Sequence, residues 1–303
     1  MFRAIAVLFA VLLATPALAD LKIHKVSDRI YGLVGDLGNR NPENLGNNAT
    51  FGLVVTDAGV VLVDPGGTYK GAAQIDRVIK SITDQPVAIV INSGGQDHRW
   101  LGNSYWAEQN ARIIASEAAV TDHTERESMQ FTGLDFLVGK DGLKGTTAHK
   151  ATETFANTLA FNLGGVDFEL AHIAAAHTPG DSFLWVPSES VVFTGDIVYT
   201  ERLLGVIPVS DTLGWLKSFD AIAALAPDHI IPGHGAPTDL PRATADTYDY
   251  LVNLRERMAA HIDGGGDIIA SVHVDQSAFA HLNNYDLLSG RNAQAVFEAM
   301  EWE

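Results

Sequence analysis

The stretch that most confines this chain is Pro86 to Asn92, a run with no polar residue between Val87 and Ile91. A strand that is apolar at every position, not at alternate ones, needs cover on both faces. Upstream, Thr50 to Thr56 and Val60 to Asp64 read as two strands joined at Asp57-Ala58-Gly59, and Asp64-Pro65-Gly66-Gly67 ends the second abruptly. Ile23 to Leu33 alternates enough to be a strand, and a polar Gly/Asn loop follows from Gly35 to Asn48. Ala72, Ile75, Val78, Ile79 and Ile82 have helical spacing within Gly71 to Thr83. Further helices are expected over Leu101 to Asn110 and Ala118 to Phe131, on either side of a strand at Arg112 to Ser116. Residues 132 to 156 read as irregular. Strands return at Thr158 to Leu163, Val166 to Ala171, Ser182 to Val186 and Ser190 to Thr194. A helix over Thr212 to Leu225, a short strand at His229 to Pro232, and helices over Ala243 to Asp263 and Asn292 to Glu301 complete the pattern. Strands and helices in this order suggest two sheets with helices outside them.

Several loops at strand ends carry residues of the metal-ligating type. They are Asn92-Ser93-Gly94-Gly95-Gln96-Asp97-His98, His177-Thr178-Pro179-Gly180-Asp181-Ser182, Gly195-Asp196 and Pro232-Gly233-His234-Gly235. Loops at strand ends project side chains into a shared cleft. Glycines at 195, 233 and 235 permit tight turns and close approach of backbone to a bound ion.

In order and spacing these motifs resemble the metallo-β-lactamase superfamily, whose first motif is H-x-H-x-D-H. The resemblance spans roughly residues 25 to 240. It implies an α/β (α+β) fold, the αββα sandwich of two mixed sheets flanked by helices. The expected organisation is residues 20–240 as that domain and 241–303 as a helical extension packed on it. The resemblance also implies a ligand set. One site would take the first two histidines of the first motif and His177; the second would take Asp97, His98 and His234, with Asp196 bridging. Here Ser93 and Gly95 stand where those first two histidines would be. The second site is therefore complete and the first keeps only His177.

Zinc at a catalytic site commonly takes three protein ligands and a water. One metal per chain is therefore expected, with zinc first and iron or manganese compatible with mixed nitrogen and oxygen donors. Asp97 or Asp196 would take the proton from an activated water, and His177 would act as proton shuttle or oxyanion partner. Ser93 and Gln96 would lie near the metal, and Gly95 would leave space for a substrate group. His123 and His149 are candidate substitute ligands. Asp64 would support the metal loop from behind, Arg99 and Trp100 would pack that loop, and Arg202, Leu203 and Leu204 would line the cleft. Gly264-Gly265-Gly266 lacks the Lys-Ser/Thr of a phosphate loop, and no serine stands in a G-x-S-x-G context.

Arg3, the apolar run Ala4 to Leu13 and the small residues of Ala17-Leu18-Ala19 read as a signal peptide cleaved after Ala19. Cysteine is absent, which excludes disulfides, thiol nucleophiles and Cys-ligated zinc, and fits the periplasm. The formal charge of −17 argues against nucleic acid and anionic lipid, and suits a basic periplasmic partner protein or a solvated acidic surface. No segment of the mature chain is expected to span a membrane. The first functional expectation is a periplasmic mononuclear metallohydrolase acting on a small thioester, ester or amide. A non-catalytic binding or accessory protein and an iron-dependent sulfur oxidoreductase stay open on the same fold. The Asn92 to Asn103 stretch and the Glu301-Trp302-Glu303 end are similar to periplasmic members associated with sulfur-oxidation or quinoprotein gene clusters, which implies a sulfur-linked substrate or a maturation role.

Overall fold

The computed structural model describes residues 20–303, so the leader read at the N-terminus lies outside them. Its first half comprises β1 (Lys22–Lys25), β2 (Ile30–Val34), β3 (Thr50–Thr56), β4 (Gly59–Val63), α1 (Tyr69–Ile82), β5 (Val87–Asn92), α2 (Asn103–Glu108), β6 (Arg112–Ser116), α3 (Glu117–Leu143) and β7 (Glu153–Phe155). The strands form one seven-stranded sheet in chain order. Pairing is antiparallel from β1 to β4 and parallel from β4 to β7. The second half begins with β8 (Thr158–Leu163), β9 (Val166–Ala171), β10 (Phe183–Val186), β11 (Val191–Phe193), α4 (Thr212–Ala224) and β12 (His229–Ile231). Its five-stranded sheet has the order β12-β11-β10-β9-β8, antiparallel except where β12 runs beside β11. Then come α5 (Leu240–Ala243), a π-helical turn (Thr244–Tyr248), α6 (Asp249–Asp263), α7 (Ile268–Ser271) and α8 (Tyr285–Met300). Among the described residues no helix is long and apolar enough to cross a membrane.

The side chains of β4 show why its sequence is apolar throughout. Val60 and Leu62 pack with Ile75 and Ile79 of α1, while Val61 and Val63 face Phe168, Leu184 and Phe193 of the second sheet. β5 repeats the division, with Val90 on the helix side and Ile89 and Ile91 on the sheet side. On the far face of the second sheet, Val192 and Ile230 meet Trp215 and Phe219 of α4, Tyr250 and Leu254 of α6, and Val296 of α8. The layers are thus helix, sheet, sheet, helix, the expected αββα sandwich. Each fully buried Leu, Ile or Val in these layers contributes roughly 1.5–3 kcal/mol of transfer free energy.

Three helices depart from expectation. α3 runs to Leu143 through a kink at Gly139 (φ 72°), instead of stopping at Phe131. Its buried stripe includes His123, Arg126, Gln130, Leu134 and Val138, so half of it is polar and a count of apolar spacing does not find it. The helix expected over Ala243 to Asp263 is interrupted by the π-helical turn, and α8 starts seven residues earlier than expected, at Tyr285.

Arg99 joins the two halves. Its side chain is wholly buried, and it donates to Asp64 Oδ2 (2.7 Å) beyond β4 and to Asp196 Oδ1 (2.7 Å) beyond β11. It also reaches the carbonyls of Thr50 on β3 (3.3 Å) and Gly233 beyond β12 (2.9 Å). Removing one partner of a buried ion network strands the others. Arg99→Ala should lose about 3–5 kcal/mol of stability, with Arg99→Lys losing less because it keeps the charge without the fork. Urea melts of the two variants measure this, and an Arg99→Ala midpoint equal to wild type would refute it.

Candidate metal centre

The C-terminal ends of β5, β11 and β12 and the β9–β10 connection open on one edge of the sandwich. The glycines at these ends are required by close approach. A Cβ on Gly233 would run into the carbonyl of Gly195, and Gly235 adopts φ 98° beside Thr200.

His98 follows β5 in a single helical turn, Asp97–Arg99. Asp196 lies in a similar turn after β11, and His234 in the loop after β12. The three are buried and their ligand atoms lie within 4.8 Å of one another. His98 Nε2 is 3.4 Å from Asp196 Oδ2, and His234 Nε2 is 3.3 Å from Asp196 Oδ1. The imidazoles meet edge to face at 5.2 Å.

Each ring is held from its far side. His234 Nδ1 is 2.9 Å from the carbonyl of Asn48, which can only accept, so the proton belongs on Nδ1. His98 Nδ1 lies between Asp97 Oδ1 (3.0 Å), an acceptor, and Arg40 Nη2 (2.9 Å), a donor. Both Nε2 atoms face Asp196, and His98 Nε2 is buried with no hydrogen-bond partner. An unpartnered buried nitrogen of this kind, on an imidazole held through its other nitrogen, is the arrangement of a metal-ligating histidine. Burial and the nearby Arg202 hold the pKa of His234 well below the usual histidine value, so the ring is neutral. Burial alone would raise the carboxyl of Asp196, but Arg99, His98 and His234 more than offset it and keep it ionised. Two imidazoles and one carboxylate fit a divalent cation.

Asp97 was expected among the ligands and as a proton acceptor; it lies elsewhere. Its carboxylate accepts from Arg40 Nε (2.9 Å) and Nη2 (2.6 Å) and from the backbone N–H of His98 (2.7 Å). Burial works against the charge, but Arg40 and His98 hold the carboxyl well below the usual carboxylate range. It therefore sits on the Nδ1 side of His98, outside the His98–Asp196–His234 group, and is a poor base. His177 is also outside that group. Its Nδ1 donates to the carbonyl of Gly205 (2.9 Å), its ring packs edge-on against Trp215 (5.6 Å), and it forms part of the same cavity wall. Burial lowers its pKa to about 4.

No opening exists at Gly95. A Cβ there would run into the carboxylate of Asp122, which is paired with Arg126. The stripe of α3 holds this loop: His123 Nε2 contacts the carbonyl of Gly94 (3.0 Å), and Arg126 (3.1 Å) and Gln130 (2.7 Å) donate to that of Gly95. Ser93 is turned away as well, its N–H and hydroxyl both given to Asp64 at 2.8 Å. His123, stacked on Trp100 at 4.6 Å, is no substitute ligand, and His149 stands outside the cluster, its carbonyl accepting from Asn103.

The cavity above the cluster has a volume near 180 Å³. Gln96 and Arg202 line it as expected, whereas Leu203 and Leu204 are fully buried in the core. Sequence reasoning missed Arg40, Tyr199, which stacks on His234 at 4.6 Å, and the contribution of α8. Arg40 lies in a polar loop without periodicity, and only the folded chain brings it to Asp97.

A model of the metallo-beta-lactamase superfamily matches residues 46–234. The type 2 metallo-beta-lactamase of Elizabethkingia meningoseptica is 23% identical over 246 residues, covering 80% of this chain and 89% of that protein. Among solved structures, a metallo-beta-lactamase from Pontibacter korlensis superposes with a TM-score of 0.62 at 20% identity, over 77% of this chain and 100% of that one. A stereoselective inverting sec-alkylsulfatase from Pseudomonas sp. gives 0.68 at 16% identity, over 92% of this chain and 50% of that one. These likenesses in structure show the shared fold. With more than half of its length matched by the family model, the chain belongs to the metallo-β-lactamase superfamily.

Proposed function

We propose that the protein is a periplasmic hydrolase working with one divalent cation held by His98, Asp196 and His234. Zinc is the first choice, and iron or manganese suits the same donors. The observation that carries this reading is the buried, unpartnered Nε2 of His98 facing Asp196 and the Nε2 of His234. When bound, the cation supplies Lewis acidity, polarising the scissile group and lowering the pKa of water to about 7. Asp97 and Arg40 hold the ring of His98 from its Nδ1 side, Asn48 fixes the tautomer of His234, and Arg99 the orientation of Asp196. His177, uncharged and with Nδ1 committed to Gly205, offers Nε2 as the proton acceptor or shuttle in the cavity. The bond cleaved is a thioester, ester or amide of a small molecule. The relatives' names span lactam and sulfate-ester chemistry, which supports hydrolysis more firmly than any one bond.

A single cation is supported by the packing at Gly95, where Arg126 and Asp122 occupy the space beside the loop. Elemental analysis of purified protein should give about one metal per chain, by the one complete ligand set. His234→Ala and Asp196→Asn should abolish binding, while Asp97→Asn should weaken it about 10–100-fold, as loss of an outer hydrogen-bond partner does. Metal-free wild type that keeps its fold would favour a binding protein, and iron with oxygen consumption would favour a sulfur oxidoreductase.

Introducing the two missing histidines tests the packing. Ser93→His with Gly95→His should cost about 1–3 kcal/mol or more through overpacking and leave the metal content unchanged. A rise towards two ions per chain would defeat the mononuclear reading. Turnover of thioester and ester probes should vanish on chelation and return on adding the metal back; turnover that persists in chelator would rule out the metallohydrolase.

A further inference from the structure

We propose that Arg40 is a positioning residue for the metal centre: by pairing with Asp97 it keeps that carboxylate off the bound cation, so that the ion rests on His98, Asp196 and His234 alone. The inference rests on the hydrolase reading for the cation, and deepens it by saying why the centre stops at three protein ligands.

The donors around Asp97 converge on one oxygen. Oδ1 accepts from Arg40 Nε (2.9 Å) and Nη2 (2.6 Å) and from the backbone N–H of His98 (2.7 Å), and it lies 3.0 Å from His98 Nδ1. Oδ2 receives no hydrogen bond among the described residues. The carboxylate is thus drawn to the Arg40 side with one oxygen to spare. Arg40 Nη2 is also 2.9 Å from His98 Nδ1, so the guanidinium covers the edge of the ring that faces away from the cluster. The Arg40 side chain is only 15% exposed and that of Asp97 only 7%. Away from water such a pair holds more firmly than one on the surface.

The loop bearing Arg40 aims it there. Asn44, itself buried, donates to the carbonyl of Asn39 (2.9 Å) and accepts from the N–H of Asn41 (2.9 Å), which clamps the residues on either side of Arg40. Further back, the carbonyl of Gly38 accepts from Asn48 (3.1 Å) and that of Leu37 from Asn284 (2.8 Å), just ahead of α8. Zinc prefers four ligands, and a carboxylate next to two imidazoles and another carboxylate is a ready fourth donor. Asp64 is spent on Ser93 and Arg99. Asp97, next to His98 in the chain, is the candidate left, and Arg40 is what restrains it. Bonded directly, a carboxylate stabilises a divalent cation more than it does from behind an imidazole, and without Arg40 one positive charge fewer faces the ion. The restrained arrangement keeps coordination positions open for water and substrate.

Two measurements on the purified full chain test this: competition with a chelator for zinc, and the visible absorption of the cobalt(II)-loaded protein, which intensifies when a fourth protein ligand closes a tetrahedral site. Arg40→Met should bind zinc about tenfold or more tighter than wild type and intensify the cobalt band. Arg40→Lys, which keeps the charge beside Asp97, should return both readings towards wild type. Asp97→Asn should cost about tenfold or more extra affinity in the Arg40→Met background than it costs alone. If Arg40→Met does not fold, Arg40→Gln, uncharged but able to give a hydrogen bond, is read in the same way. A folded uncharged variant with wild-type or weaker zinc affinity, an unchanged cobalt spectrum, or an equal cost of Asp97→Asn in both backgrounds would each overturn the proposal and leave the hydrolase reading standing. Zinc bound by the uncharged variant and not by wild type would uphold it while that reading fails, and metal bound by neither would end both.

Discussion

A single guanidinium sits where four strand ends meet. Arg99 neutralises Asp64 and Asp196 and ties down carbonyls from both sheets, so the joint between the halves of the sandwich is electrostatic at its centre and apolar around it. Burial works against the charge of Arg99, and the two carboxylates more than offset this. Asp196 can therefore stay ionised in the interior with two imidazoles as its other neighbours. An isolated buried carboxylate would take up a proton instead. The His98–Asp196–His234 cluster inherits its geometry from this joint, which explains how the three side chains stay in register although Ser93 and Gly95 stand at two histidine positions of the family motif.

The parts of the fold legible in the sequence were those governed by burial on both faces. β4 and β5 read as unbroken apolar runs because each of their residues faces either helices or the other sheet. His98, Asp196 and His234 were legible because each follows such a strand at a glycine-bearing turn. Asp97 stands outside the His98–Asp196–His234 group for a tertiary reason that spacing does not carry: Arg40, in a loop without periodicity, pairs with its carboxylate on the Nδ1 side of His98. The length of α3 was hidden because glycines interrupt it and its buried face carries His123, Arg126 and Gln130 among the apolar residues.

Those polar residues fill the ground beside the first motif. Ser93 and Gly95 stand where the motif would carry histidines, and the carbonyls of Gly94 and Gly95 are acceptors for α3. The loop is held by hydrogen bonds in place of coordination. Thr178 extends the same network, accepting from the N–H of Gly95 and donating to Asp181, so the loop bearing His177 is braced against the loop bearing His98. The space beside Gly95 is filled by Asp122 and Arg126 and is not a void.

The mouth of the cavity has a different origin from its floor. The cluster at the floor is drawn from residues 98 to 234, whereas Leu287, Leu288 and Arg291 come from α8, which is anchored through Ala293, Val296 and Phe297 to the core beneath α6. Reactivity and selectivity are therefore written in separate stretches of the chain. Drift in the tail can retune which molecules are admitted while the His98–Asp196–His234 cluster stays fixed, so relatives with identical floors need not share a diet.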